Sequence, residues 1–288
     1  MRLQGRRALI TGASMGFGLA IARAYLAEGA SLMLCARNAE QLGQAQAALA
    51  GLVSANQRVL AMAADVSQPG DVERLFATTL AELGGLEILV CNAGIYGPKG
   101  PIEEVNWHEW TQAIDINLLG TVLCCRAAIP HFKARRYGKI VLLSGGGATN
   151  PLPRLSAYAA SKAAVVRCGE TLAEELRGTG IDVNAIAPGA LNTRLLDEVL
   201  EAGPEKVGQA FYQRALRQKE TGGTPLERGV ALCVFLASTE SDSITGKLIS
   251  AVWDPWETLA QRRGEIDGTD VYTLRRIVPR DRGLEWGS

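Results

Sequence analysis

The stretch from Arg7 to Gly18 reads Arg-Ala-Leu-Ile-Thr-Gly-Ala-Ser-Met-Gly-Phe-Gly and joins a short apolar run to a glycine-rich loop. The apolar run predicts a buried strand. Glycines in such a turn let the backbone approach a pyrophosphate, to which the start of a following helix offers free N–H groups. The spacing is GxxxGxG instead of the common GxGxxG, but its place directly after a strand predicts a dinucleotide-binding turn. The residues expected to bind there are Gly12, Ser14, Gly16, Phe17 and Gly18.

Outward from this turn, apolar runs alternate with helical patterns along the chain. The predicted strands cover residues 7–11, 31–36, 58–63, 86–91, 139–143, 181–187 and 247–252. The predicted helices cover residues 19–28, 39–52, 69–84, 107–136, 156–179 and 226–238, with a kink expected near Pro130. This alternation specifies a parallel sheet with helices on both faces. We therefore expect an α/β fold, a Rossmann-type doubly wound parallel sheet of about seven strands.

Composition excludes several classes of function. Lys+Arg and Asp+Glu are both 30, so charge gives no reason to expect a nucleic acid or an anionic membrane as partner. The six cysteines form no CxxC pair, and with two histidines no metal site or Ser-His-Asp triad is expected. The N-terminus lacks the apolar core of a signal peptide, and no uncharged apolar run reaches the roughly twenty residues of a membrane helix. We expect a cytoplasmic protein.

The end of the second predicted strand indicates which nicotinamide dinucleotide binds. In dinucleotide-binding folds an acidic residue there contacts the ribose 2′-hydroxyl of NAD. This chain has Cys-Ala-Arg37-Asn, which offers a cation and no acid. A guanidinium suits a 2′-phosphate, so NADP(H) is expected more than NAD(H). Met15, just before Gly16, adds no further cation and weakens this preference.

Tyr158 and Lys162 are candidates for proton transfer. They are four residues apart in a predicted helix and therefore lie one turn apart on one face. A free phenol has a pKa near ~10, and a nearby ammonium is expected to lower it. The pair could equally be an aromatic core contact beside a solvated amine. Its spacing alone does not decide between these readings.

Seven short motifs in order resemble the short-chain dehydrogenase/reductase family, in its short single-domain type. The resemblance covers residues 5 to about 252. The matching pieces are Thr11-Gly-(x)3-Gly16-x-Gly18, Asp65-Val66, Asn92-Ala93-Gly94, Asp115-Ile-Asn117-Leu, Tyr158-(x)3-Lys162, Pro188-Gly189-(x)3-Thr193 and Ile244-Thr-Gly246.

The resemblance implies roles for the matched residues. Tyr158 would be the general acid or base, Lys162 would bind the nicotinamide ribose and lower the pKa of the phenol, and Asn117 would position a water. Asp65, with Val66, would contact the adenine region, and Asn92, with Ala93 and Gly94, would stabilise the central strand beside the cofactor. Thr193 and the backbone from Pro188 and Gly189 to Ala190 would hold the nicotinamide carboxamide.

The chain departs from this family at the residue that polarises the substrate. The family's serine, thirteen residues before the tyrosine, is replaced here by Gly145, and Ser144 lies one position early. A one-residue slip turns a side chain to the opposite face of a strand. Three alternatives follow: the glycines after Ser144 bend the loop so that Ser144 reaches the site, Thr149 or Ser156 replaces it, or the site is impaired. We expect the first two, with Ser144 as the candidate catalytic residue.

The domain organisation follows from the last motif. Residues 1–253 are expected to form one catalytic domain, in which residues 190–225 form the substrate loop. Residues 254–288 form a C-terminal extension expected to pack on the domain or on a neighbouring subunit. In it, residues 271–278 are expected to form a strand or short helix, and Trp253 and Trp256 to help close the substrate pocket.

The expected function is hydride transfer between NAD(P) and a ketone or secondary alcohol. The expected partner is therefore a small carbonyl or alcohol molecule, and the family implies a homodimer or homotetramer. Two rivals remain: a non-catalytic dinucleotide-binding sensor or scaffold, favoured by Gly145, and an epimerase or dehydratase of the extended type, for which the chain looks too short.

Overall fold

All seven predicted strands are present in the computed structural model, which describes residues 1–286. They form one parallel sheet in the order β3-β2-β1-β4-β5-β6-β7. The strands are β1 (Arg7–Thr11), β2 (Ser31–Ala36), β3 (Val59–Ala63), β4 (Ile88–Cys91), β5 (Gly138–Leu143), β6 (Ile181–Ala187) and β7 (Leu248–Ser250). The predicted doubly wound α/β fold is confirmed.

Helices cover both faces of the sheet. They are α1 (Gly16–Ala27), α2 (Ala39–Ala50), α3 (Pro69–Leu83), α4 (Trp107–Ile114), α5 (Gly120–Arg135), α6 (Ser156–Glu175), α7 (Arg194–Val207), α8 (Gln209–Thr221), α9 (Leu226–Ala237) and α10 (Arg263–Ile266). Helices α1, α2 and α9 bury their apolar residues in one core, and α3, α5 and α6 in a second core on the opposite face. The strands supply side chains to both cores by alternation.

The order of strands reverses beside β1, because β2 lies on one side of it and β4 on the other. In open α/β sheets the loops at the carboxyl ends of two such strands diverge to opposite faces and leave a crevice. Here the glycine loop after Thr11 and the segment after Cys91 border that crevice. The topology therefore places the predicted dinucleotide turn at the opening of a cleft.

The sequence predicts one long helix over residues 107–136, and the structure interrupts this helix with one turn of a different type. A π-helical turn, Asp115–Leu119, separates α4 from α5, while α5 continues through Pro130. Such single turns are rare and frequently occur at functional sites. By length and composition the run Trp107–Arg135 could cross a membrane, but 44% of its most apolar window is buried inside the domain, as in a core helix.

The C-terminal segment is integrated into the domain. Trp256, Leu259 and Ile266 are buried in the core beneath α9. The backbone N–H of Leu248, on the edge strand β7, donates to the carbonyl of Tyr272 at 2.7 Å. The prediction that residues 271–278 form a strand or short helix is wrong, because they are turns and extended chain. The Tyr272 carbonyl bonds to β7, and the Leu274 N–H donates to the Glu170 carboxylate of α6 at 2.6 Å.

Candidate active site

One large cavity of about 1410 Å³ lies at the carboxyl ends of the strands. Ligand pockets usually measure 300–1,000 Å³, so this cavity has room for a dinucleotide and a second molecule. Of the predicted site residues only Asn117 does not line it. Those that do are Gly12, Ser14, Gly16, Phe17, Gly18, Arg37, Asp65, Val66, Asn92, Ala93, Gly94, Ser144, Tyr158, Lys162, Pro188, Gly189 and Thr193.

The glycine loop is held tightly by Asn92. The Asn92 side-chain amide donates to the carbonyls of Thr11 and Gly12, each at 3.0 Å. A Cβ on Gly18 would lie 2.3 Å from the Gly12 carbonyl oxygen, and Gly12 itself has a φ of +64°. These positions admit glycine only, and the resulting bare backbone faces the cavity at the start of α1. This is the local structure that a pyrophosphate needs.

Arg37 and Asp65 line the cavity just after the ends of β2 and β3. Arg37 follows β2, and Asn38 caps α2 by accepting from the Gln41 backbone N–H at 2.9 Å. One carboxylate oxygen of Asp65 accepts from the Ser67 hydroxyl at 2.7 Å and from the Ser67 N–H at 3.0 Å. The other oxygen has no hydrogen bond within the described chain. Asp65 is therefore an oriented acceptor, and Arg37 is a cation at the cavity wall.

Helix α6 carries Tyr158 and Lys162 into the cavity as a buried pair. The Lys162 amine lies 5.7 Å from the centre of the Tyr158 ring and donates to the Leu143 carbonyl at 2.7 Å. Burial lowers the pKa of Lys162 to about 8. Burial also raises the pKa of the Tyr158 phenol well above its usual value, and Tyr96 adds to the rise. The expected lowering of the phenol pKa is therefore wrong for the protein groups alone, because burial disfavours the charged phenolate.

Tyr96 is a site residue that no sequence pattern indicated. Its ring meets that of Tyr158 edge to face, with centroids 4.6 Å apart. Burial raises the pKa of Tyr96 to about 12, so it stays neutral. Tyr96 lies on irregular chain after β4, where no periodicity predicts a side chain's direction. It packs against the Tyr158 ring and against the apolar residues of α7 and α8.

Asn117 lies behind the cavity wall, inside the π turn. Its Oδ1 accepts from the Ile95 N–H, and its Nδ2 donates to the Ile95 carbonyl and to the Ser161 hydroxyl, each at 2.9 Å. Both amide N–H groups are therefore already used. This side chain joins the loop after β4 to α6. A role for Asn117 in positioning a water stays a prediction.

The Ser144-Gly145 region shows why the family's serine is missing. Gly145 faces the phenol, since a Cβ there would lie 2.3 Å from the Tyr158 oxygen. The backbone of Gly145 is extended, with φ −172° and ψ 175°, and the turn begins only at Gly146. The Ser144 hydroxyl is buried and has no hydrogen-bond partner among the described residues. Thr149 also lines the cavity, whereas the Ser156 hydroxyl accepts from the Trp110 indole at 3.0 Å.

The remaining wall is formed by α7 and α8, which lie within the predicted substrate loop. Leu196, Val199 and Phe211 contribute apolar surface, and Arg214 contributes a cation. A small core of their own holds the two helices together. Trp253 lines the mouth and is 85% exposed, as its proposed lid role requires. For Trp256 that role is wrong, because its ring is buried against Phe235 in the core.

Comparison with known proteins identifies the family. The model described as short chain dehydrogenase matches residues 6–203. The chain belongs to the short-chain dehydrogenase family. It is 37% identical to 3beta-hydroxysteroid dehydrogenase 1 of Eggerthella lenta over 245 residues, which cover 85% of this chain and 91% of that protein. It is 34% identical to D-beta-hydroxybutyrate dehydrogenase of Cupriavidus necator over 260 residues, covering 88% and 96% respectively.

Solved structures of short-chain dehydrogenases share the fold. Levodione reductase superposes with a TM-score of 0.78 at 29% identity, covering 86% of this chain and 96% of that one. NAD+-bound xylitol dehydrogenase gives a TM-score of 0.79 at 25% identity, covering 87% and 98%. The family is one of oxidoreductases that act on small molecules with a nicotinamide cofactor. The resemblance seen in the sequence motifs is confirmed.

Proposed function

We propose that this protein is an NAD(P)-dependent oxidoreductase that transfers hydride between the nicotinamide and a ketone or secondary alcohol. The observation that carries the proposal is the buried Tyr158–Lys162 pair in a cavity that also contains a side-chain-free glycine turn. Each of these two features, taken by itself, also has a purely structural explanation. Together they support a proton donor and a dinucleotide-binding turn that act in one cavity.

The residues that line the cavity around the glycine turn fit such a cofactor. The turn at Gly12 and Gly18 would hold the pyrophosphate, and Asp65 would hold the adenine region. Lys162 has N–H groups beyond the one donated to Leu143, and these would bind the nicotinamide ribose. When bound, the nicotinamide accepts or supplies the hydride.

Tyr158 would supply or remove the proton at the substrate oxygen. Its raised pKa keeps the phenol protonated at neutral pH, which suits proton donation to a developing alkoxide. For the reverse direction the phenol must be ionised, and Lys162 is the protein cation nearest to it. The substrate oxygen would be polarised by Ser144 or Thr149. We expect the loss of whichever donor acts to cost about 10²–10³ in kcat.

The test of the proposal compares wild type with Tyr158→Phe on a panel of ketones and secondary alcohols, followed by nicotinamide absorbance. We expect turnover in wild type and a loss of about 10²-fold or more in the variant, with cofactor affinity unchanged, because the phenyl ring keeps the contact with Tyr96. Full activity in Tyr158→Phe contradicts the role of Tyr158. Tight NADPH binding with no turnover in wild type supports the sensor alternative.

A preference for NADP(H) over NAD(H) is proposed from Arg37. Arg37 lines the cavity at the end of β2, and no acidic residue at that strand end lines it. Arg37→Ala is expected to weaken NADPH about tenfold or more and to leave NADH unchanged, because only NADPH carries the 2′-phosphate. Arg23→Ala, on the exposed side of α1, is the control. Equal loss for both cofactors contradicts the preference.

Assembly and location stay predictions. The family implies a homodimer or homotetramer, which light scattering of the full chain measures directly. The expected cytoplasmic location is measured by fractionation of the producing cells.

A further inference from the structure

The substrate half of the cavity, which is lined by α7, α8 and residues 253–254, contains Arg214. This arginine forms no ion pair with another group of residues 1–286. Three charged residues line this half: Arg194, Arg214 and Asp254. Arg194 is 3.6 Å from Glu198, and Asp254 accepts a hydrogen bond from the Ser250 N–H at 2.7 Å. Across residues 1–286 no carboxylate lies within ion-pair distance of Arg214. Its guanidinium lies 5.6 Å from the centre of the Phe211 ring.

Arg214 is exposed to solvent, and the wall beside it is apolar. Leu196 and Val199 of α7 and Phe211 and Ala215 of α8 line this wall, and Tyr96 packs against the same cluster. A planar guanidinium beside an aromatic ring is held in orientation while its N–H groups stay available. A carboxylate matches that donor fork with two parallel hydrogen bonds. The wall as a whole therefore fits an apolar body that ends in one anionic group.

We infer that the substrate is an apolar ketone or secondary alcohol bearing a carboxylate remote from its reacting carbon, and that Arg214 binds the carboxylate. The inference rests on the proposed function for the identity of the reacting group only. The reacting oxygen would lie at Tyr158, the apolar body along the wall formed by Tyr96, Leu196 and Val199, and the carboxylate at Arg214 of α8. Arg214 is thus a specificity-determining residue for this enzyme.

The test uses ligands that share one apolar body. 4-Phenylbutyrate, its amide 4-phenylbutyramide and 3-phenylpropylphosphonate are titrated by calorimetry into the free protein and into the NADPH-loaded protein. In wild type we expect the carboxylate to bind about two- to fivefold more tightly than the amide, as one ion pair at an exposed arginine provides. Arg214→Gln is expected to remove this difference. Arg217→Gln, one turn further along α8 and outside the cavity wall, is expected to preserve it.

The outcomes separate this inference from the proposed function. Failure of NADPH to bind contradicts the proposed function, while the free-protein titrations still measure the carboxylate. Equal affinity for carboxylate and amide in wild type overturns the inference, and so does an unchanged carboxylate preference in Arg214→Gln. Tighter binding of the phosphonate than of the carboxylate overturns the assignment of a carboxylate. Loss in both arginine variants shows a general charge effect and also overturns it.

Discussion

Gly145→Ala tests whether the close approach of backbone to phenol controls activity. The added Cβ would lie 2.3 Å from the Tyr158 oxygen and 3.2 Å from the carbon that bears it. Ordinary van der Waals contact begins near 3.4 Å, so the phenol or the loop must move by about 1 Å. Because Gly145 has an extended backbone, alanine brings no conformational strain of its own. A displacement of about 1 Å at the reacting group costs on the order of 10² in rate.

The assay compares kcat/KM, NADPH affinity and thermal stability with those of Gly146→Ala. That neighbour is a matched control, because a Cβ on Gly146 meets nothing within 4 Å. For Gly145→Ala we expect a loss of about 10²-fold in kcat/KM with NADPH binding preserved. Overpacking would also cost about 1–3 kcal/mol of stability. The Gly146 variant should match wild type in all three measurements.

Wild-type kcat/KM and melting temperature in Gly145→Ala would contradict this prediction, since the loop would then yield without cost. Gly145→Ser is the sharper variant. Activity above wild type would show that the phenol accommodates a serine there and that the chain lacks a useful hydroxyl. Activity as low as that of the alanine variant would show that steric displacement outweighs any new hydrogen bond.

Two stability measurements test the buried groups. The pKa of Lys162 in the folded protein, about 8, lies below the ordinary lysine value of 10.5. The unfolded chain therefore binds more protons, and wild-type stability rises as pH increases from about 8 to 10.5. Relative to Lys162→Met, wild type should gain about 2–3 kcal/mol in urea unfolding between pH 7 and 10; a constant difference would contradict a buried titrating amine. Trp256→Ala should cost about 3–5 kcal/mol, since Trp256 is 7% exposed, whereas Trp253→Ala, at 85% exposure, should stay within about 0.5 kcal/mol. Equal melting temperatures of these two variants would be inconsistent with the buried position of Trp256.

The sequence predicted those parts of the protein that depend on neighbours along the chain. Apolar runs separated by helical patterns predicted seven strands, because a strand buried on both faces must be apolar throughout. The glycine loop after β1 was predicted because only glycine tolerates the approach now seen between Gly18 and the Gly12 carbonyl. Element ends were less accurate: α1 begins at Gly16 instead of residue 19, and α6 ends at Glu175 instead of near 179.

The tertiary structure decided what depends on residues far apart in sequence. Tyr96 meets Tyr158 across 62 positions of chain, and Asn117 joins Ile95 to Ser161, contacts that no local pattern encodes. The direction of the Tyr158 pKa also came from the fold, because burial is a property of the whole packed domain.

The C-terminal segment shows the same division. The sequence gives no reason to expect different environments for Trp253 and Trp256. In the structure Trp256 is buried beneath α9, whereas Trp253 is exposed and lines the cavity. Likewise residues 247–252 were predicted as a strand, whereas the Tyr272 carbonyl that accepts from the Leu248 N–H was found only in the structure. The sequence by itself thus determined the sheet through its alternating pattern, the family through its ordered motifs, and the candidate catalytic pair through its match to that family. The tertiary structure alone decided which side chains face the cavity, because that depends on packing between distant segments.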